Sequence, residues 1–222
     1  MEKLKQLLNV LDENSSEDII VKTFRKIAET LMTGYHVEKG IQKYYFIDIE
    51  FYFCNKNHPD LITYPRITKE GKWFFHKSGM DLTFNSIYTP HDGIKDTVDA
   101  SKPFYFGGIL VQKILKKDTL ELFNGPQKCV WELFDIFDAL SPTSIEIPSI
   151  VPNTKEIDII PHPHKRHFSY TDDRKKNKYQ ELTEKVFREI PLPSFKEFCD
   201  YLNEEYAYYI SKEDLIHELK NL

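Results

Sequence analysis

The stretch from Tyr44 to His58, YYFIDIEFYFCNKNH, holds the residues with the clearest capacity for chemistry. Between Tyr44 and Phe53 every residue is aromatic or isoleucine except Asp48 and Glu50, a composition that predicts a strand. Side chains alternate across a strand, so Asp48, Glu50 and Tyr52 share one face while Ile47, Ile49, Phe51 and Phe53 share the other. A carboxylate set among aromatics loses hydration, which is one way a general acid or base is tuned for work near neutral pH. The alternative is an edge strand whose two acids face solvent.

Two further groupings have the right residue types. His76 and Asp81 flank a predicted hairpin turn, where they could act as an acid/base pair or simply as a cross-strand ion pair, and the ion pair is the expectation. His162, His164 and His167 are closely spaced, but no carboxylate or cysteine stands at compatible spacing and Pro163 holds the segment extended. A structural role is therefore expected, and no metal. There is no G-x-S-x-G string and no glycine-rich phosphate loop, so neither a serine hydrolase nor a cofactor is implied.

These residues must be positioned by a mixed set of elements. Leucines at 4, 7, 8 and 11 predict a helix over 1–11, and a second is expected over 19–32, capped by Ser16 with Glu17 and Asp18 in its first turn. Residues 37–40 read as a turn and 43–53 as the central strand. A loop is expected over 54–72, a hairpin with strands at 73–77 and 80–84 about Ser78-Gly79, and irregular chain over 87–101. Another strand, 104–115, carries Gly107-Gly108, the mark of a bulge or close backbone approach. Residues 116–124 suggest a short helix or turn and 127–140 a helix, followed by short strands at 144–147 and 156–160. Helices are predicted again over 179–189, 194–206 and 211–222, the last opened by Ser211 and Asp214.

The chain has 222 residues and 41% hydrophobic content, enough to fill a sizeable core without covalent staples. Three dispersed cysteines, Cys54, Cys129 and Cys199, make no C-x-x-C pair and give neither a disulfide framework nor a zinc knuckle. With no apolar run of membrane-spanning length and no signal-peptide core, the expected location is the cytoplasm, away from membranes. A net charge of −5 argues against a surface that grips nucleic acid throughout. The basic cluster from Lys165 to Lys178, with Arg166, Arg174, Lys175 and Lys176, is the one local stretch suited to phosphates.

Taken in order, the landmarks IDIEFY, a His/Arg loop, G-K-W-F-F with S-G-M, GGILVQKI and LFNGPQKC resemble the alkyladenine (3-methyladenine) DNA glycosylase family over about residues 20–135. The resemblance implies an α+β fold with a curved, mostly antiparallel sheet and N-terminal helices. Residues 1–178 would form the glycosylase-like domain, with 179–222 a helical C-terminal extension packed on it. It implies Glu50 as the catalytic glutamate, Tyr52 and Phe75 as aromatics that stack on a flipped base, His58 as a base-recognising histidine and Asn85 as a pocket asparagine. Asn124-Gly125-Pro126 with Lys128 matches the family's N-G-P-x-K. Where the family has a wedge tyrosine this chain has Ser78, and where it has an arginine on a later strand this chain has Gln112.

The implied activity is hydrolysis of the N-glycosidic bond of a modified purine, with Glu50 positioning water and stabilising oxocarbenium character while aromatic walls hold the departing base. DNA with a modified or unpaired base would be the partner. The alternative is a non-catalytic or redirected relative that binds a nucleobase-like small molecule, or a partner, through the same pocket.

Overall fold

The computed structural model describes residues 1–134, 147–168, 170–188 and 192–220. In chain order the elements are α1 (Glu2–Leu8), α2 (Glu17–Gly34), β1 (Tyr35–Lys39), β2 (Gln42–Asn55), β3 (His58–Pro59), β4 (Trp73–His76), β5 (Gly79–Thr83), β6 (Val98–Asp99), β7 (Tyr105–Lys116) and β8 (Leu122–Asn124). There follow α3 (Pro126–Leu133), β9 (Ser149–Pro152), β10 (His162–His164), α4 (Asp172–Glu181), β11 (Phe187–Arg188), α5 (Phe195–Asn203), β12 (Ala207–Tyr209) and α6 (Lys212–Leu219). The fold is α+β. No helix among the described residues is long and apolar enough to cross a membrane, and all three cysteines are free.

A curled antiparallel sheet runs β10-β12-β2-β7-β5-β4, with β1 and β3 also on β2, β8 on β7 and β9 on β1. The small pair β6 and β11 is parallel. At the centre lies β2, because its apolar and aromatic run, broken only by Asp48 and Glu50 whose carboxylates find partners, can be buried on both faces. On one face α2 buries Ile20, Phe24, Ile27 and Leu31, spaced for a single helical stripe, and Phe24 stacks on Phe51 with ring centroids 4.7 Å apart. Burying each such side chain contributes about 1.5–3 kcal/mol. The opposite face of β2 is covered by residues 164–168, and that face carries the candidate site.

Several elements differ from the sequence-based expectation. Of the turn expected over 37–40, residues 37–39 belong instead to β1, which is held between β2 and β9. Of the short helix or turn expected over 116–124, residues 117–119 do turn while 122–124 form a strand paired with β7, and 156–160 form no strand. The expected helix over 127–140 is present to Leu133, and its residues from 135 on, like 144–146 of the expected strand, lie outside the described residues. Ser16 stands at the N-cap of α2 without a side-chain capping bond, and Glu17 in the first turn reaches His58 and Tyr206. The C-terminal segment contributes a strand as well as helices. β12 is inserted between β10 and β2, pairing Ala207 with Glu50, and α4 runs through position 178.

Candidate functional site

Glu50 sits in the middle of β2, opposite Leu110 on β7 and Ala207 on β12, with no exposed surface. A solvent-facing edge is thereby excluded for both acids, since Asp48 is 1% exposed on the same strand. A buried carboxylate is tolerated only when its oxygens are satisfied, and here they are. Tyr52 donates its hydroxyl to Oε2 at 2.6 Å, and the backbone N–H of His167 donates to Oε1 at 2.7 Å. Burial, followed by the adjacent Glu50 charge, pushes the Tyr52 phenol well above its ordinary range, so Tyr52 remains the donor.

Arg166 is not a surface cation. It is 4% exposed, forks onto Asp60, donates to the carbonyls of Phe51 and Tyr201, and lies 4.8 Å from the centroid of the Tyr52 ring and 5.2 Å from that of Phe168. This corrects its assignment as a phosphate contact. A guanidinium paired with Asp60 and two backbone carbonyls inside the fold clamps the 164–168 segment over Tyr52 instead.

Beyond Tyr52 opens a cavity of about 650 Å³. Tyr52, Tyr64, Phe74, Phe75 and Phe168 supply aromatic surface, while Arg66, His76 and Asp81 supply charge. Asp81 joins the other two, with Oδ2 accepting from Arg66 Nη1 at 2.6 Å and Oδ1 lying 2.9 Å from His76 Nε2. Burial works to raise the Asp81 pKa, but the Arg66 charge and the His76 hydrogen bond outweigh it and hold the carboxyl below its usual value. Arg66 lies 4.1 Å over the Phe74 ring, and its Nη2 is buried without a hydrogen-bond partner among the described residues. Phe75 lines the cavity while remaining half exposed, its ring edge-on to Phe134.

The hairpin bearing Phe75 and His76 turns through Lys77 and Ser78, one residue earlier than the sequence suggested, and pairs His76 with Gly79. His76 and Asp81 are therefore diagonal neighbours on one face, not directly opposed. Gly79 has φ +153, and a Cβ there would stand 2.7 Å from Pro126 Cβ. Gln127 Nε2 donates to the Lys77 carbonyl at 2.9 Å. The Asn124-Gly125-Pro126 string thus leads into the helix that buttresses the hairpin, which gives it a positioning role at the cavity.

Two expected pocket residues lie elsewhere. The Asn55 side chain accepts from the N–H groups of Asn57 and His58, reversing the chain so tightly that His58 pairs with Asn55 and takes the Phe51/Phe53 face. It is fully buried beside Phe24, Tyr201 and Tyr206, with Nδ1 2.5 Å from Glu17. Asn85 is drawn the other way, since its backbone N–H donates to Leu8 at the end of α1 and its Nδ2 to the Tyr105 hydroxyl at 3.0 Å. Neither lines the cavity. Of the remaining basic residues, Lys165, Arg174 and Lys176 are exposed and Lys175 lies 3.5 Å from Asp172. The last three are on α4, whose Lys178 and Glu181 reach the cavity.

Asp48 gathers a cluster that the sequence spacing concealed. Lys113 Nζ donates to Oδ2 at 2.7 Å, His164 Nε2 lies 3.0 Å from Oδ1, and His167 Nε2 lies 3.0 Å from Oδ2. The carboxylate that appeared to be missing beside the histidines comes from β2, across β12. Burial works to raise its pKa, but the hydrogen bonds of His164, Lys113 and His167 prevail and hold it below the usual aspartate value.

Among known proteins, the uncharacterized protein L759 of Acanthamoeba polyphaga mimivirus is 25% identical to this chain over 142 residues, covering 58% of this chain and 64% of that protein. The chain therefore spans a little under two thirds of the relative's length. No family model matches the sequence, and no solved structure matches it.

Proposed function

We propose that the cavity is a nucleobase site, and that the protein is a redirected relative of the alkyladenine DNA glycosylases that binds a modified purine or a similar planar molecule. The observation carrying this reading is that Tyr52 and Phe75, the two aromatics singled out for base stacking by the resemblance, line one cavity although they belong to different strands. Its volume falls in the range of small-molecule sites, and its few charged groups among aromatic walls suit a planar heterocycle with polar edges. Arg66 supplies a spare buried donor for a ring carbonyl or nitrogen.

Binding is favoured over excision because Glu50 is not in contact with the cavity. Tyr52 stands between them, and the 164–168 segment closes the remaining side. Excision is the second reading, supported by the single hydrogen bond that separates Glu50 from the cavity wall. It requires the backbone at His167 to lift so that water can reach the carboxylate. Ser78 at the hairpin tip cannot fill the gap left by a flipped base, so single strands and free bases are the expected ligands in preference to intact duplex.

Titration calorimetry with N-methylated adenine, combined with single-turnover assays on single-stranded and duplex oligonucleotides bearing the same base, separates these readings. Binding that is weakened at least tenfold by Phe75→Ala, without base release, supports the redirected relative. Base release that disappears in Glu50→Gln establishes excision. Failure to bind any purine base, free or in DNA, removes the nucleobase assignment.

A further inference from the structure

We propose that Asp48, His164 and His167 form a binding site for one divalent transition-metal ion. These three side chains offer ligand atoms that lie within 4.8 Å of one another. Each imidazole Nε2 is already 3.0 Å from a carboxylate oxygen of Asp48, whereas the edges of a tetrahedral zinc site with bonds of about 2.0–2.2 Å are roughly 3.3 Å long. An ion held by Oδ1 would need a shift of a few tenths of an ångström on the His164 edge, and the His167 ring would swing from Oδ2 toward Oδ1 and toward His164, so that a metal ion replaces the shared protons.

The ligands stand on a framework fixed independently of any metal. Asp48 belongs to the central strand, and His164 belongs to β10, where it pairs with Ala207, itself paired with Glu50 of β2. The backbone of His167 is tied to the Glu50 carboxylate, and the intervening Arg166 is anchored to Asp60. Lys113 keeps Oδ2 and leaves Oδ1 for the ion, in the way a ligating carboxylate is commonly held by a further donor. Its ammonium is also the one positive charge that an incoming cation must face within this cluster.

Two imidazoles and one carboxylate favour zinc, iron, cobalt or nickel over magnesium and calcium, which prefer sites built wholly from oxygen. The His167 side chain is half exposed while its Nε2 points inward at Asp48. Three protein ligands with solvent on one side leave a coordination position for water or a small anion. Because the same histidine supplies the N–H that holds Glu50, the ion would also fasten the 164–168 segment over Tyr52. The proposal does not depend on what the cavity binds.

The full-length chain, stripped with a chelator, should be titrated with zinc against a chromophoric competitor and with cobalt followed by visible absorption. One equivalent should bind, with the intense d–d bands of a four- or five-coordinate cobalt site, and magnesium should not compete. His164→Ala and His167→Ala should each weaken zinc at least tenfold, while His162→Ala, a neighbouring histidine outside the set, should leave it unchanged. Near-ultraviolet circular dichroism verifies that the variants are folded, and the half-exposed position of His167 makes its variant the decisive one if His164→Ala is unstable. Absence of stoichiometric zinc binding overturns the proposal. So does equal zinc affinity in wild type and folded His167→Ala, or a loss in His162→Ala as large as in the other two.

Discussion

Tyr52→Phe removes one oxygen and leaves the ring in place, which makes it the sharpest probe of the Glu50 arrangement. The lost hydroxyl is the 2.6 Å donor to Glu50 Oε2, an atom of a residue with no exposed surface. Glu50 would keep the His167 N–H on Oε1, while Oε2 would face only the edge of the phenylalanine ring that replaces the tyrosine. A hydrogen bond to a charged partner contributes about 1.5–3 kcal/mol, and in a chain of this size each 1 kcal/mol moves Tm by about 2–4 °C. The expected fall for about 2 kcal/mol is roughly 4–8 °C by differential scanning calorimetry. Ring contacts with Arg166 and Phe168 survive, so nucleobase affinity should change less than about threefold, whereas Tyr52→Ala should lose stacking worth about 1–3 kcal/mol. A Tm within 1 °C of wild type would show that water reaches Oε2 and that Glu50 is not sealed. Equal loss of affinity in the Phe and Ala variants would show that the hydroxyl contacts the ligand and that the stacking argument is wrong.

Asp81→Asn should destabilise the fold by about 3–5 kcal/mol in urea titrations, since it leaves the Arg66 guanidinium buried without its counter-charge; a loss below about 1 kcal/mol would contradict the pairing. Phe75→Ala, at a half-exposed position, should cost less than about 1 kcal/mol of stability while lowering nucleobase affinity by about 1–3 kcal/mol, and the reverse pattern would make Phe75 a packing residue. The hydrogen bond and charge of Asp48 raise the His164 pKa against the opposing effect of burial. A raised histidine contributes fully below its unfolded value of about 6.5 and loses that contribution as pH rises through the folded value. The stability gap between metal-free wild type and His164→Gln should therefore narrow as pH rises from the unfolded value through the folded one, and a gap that widens over that range would refute the assignment.

Where a single element's own residues decided its place, the sequence was readable. The stripe Ile20, Phe24, Ile27 and Leu31 announces α2, and the aromatic run announces β2 together with the shared face of Asp48, Glu50 and Tyr52, all three of which meet residues 164–168. What escaped was decided by remote partners or by tight reversals. Residues 37–40 look like a turn until β9 supplies a second edge to the strand that includes 37–39. The Asn55 turn sends His58 to the helix face, a choice that its distance from Glu50 along the chain does not reveal. Arg166 sits in a basic run yet is buried, because Asp60 and two backbone carbonyls await it. The histidines at 164 and 167 have no carboxylate nearby along the chain because theirs, Asp48, reaches them across the sheet.

The insertion of β12 beside β2 also sets the order in which the molecule can be completed. The edge of β2 at Asp48–Glu50 leaves the ribosome about 150 residues before its partner Ala207–Tyr209, which at about 5–20 residues per second is an interval on the order of ten seconds. Throughout that interval an aromatic strand has a bare hydrogen-bonding edge, the kind of surface that recruits other strands. Helix α2, β1 and β7 are made earlier or soon after and can collapse around it, but the site face stays open until residues 164–168 arrive. The pairing has high contact order and forms late for entropic reasons. Newborn chains consequently pass through a stage in which the helix-covered half can fold while Asp48 and Glu50 still await residues 164–168 and β12.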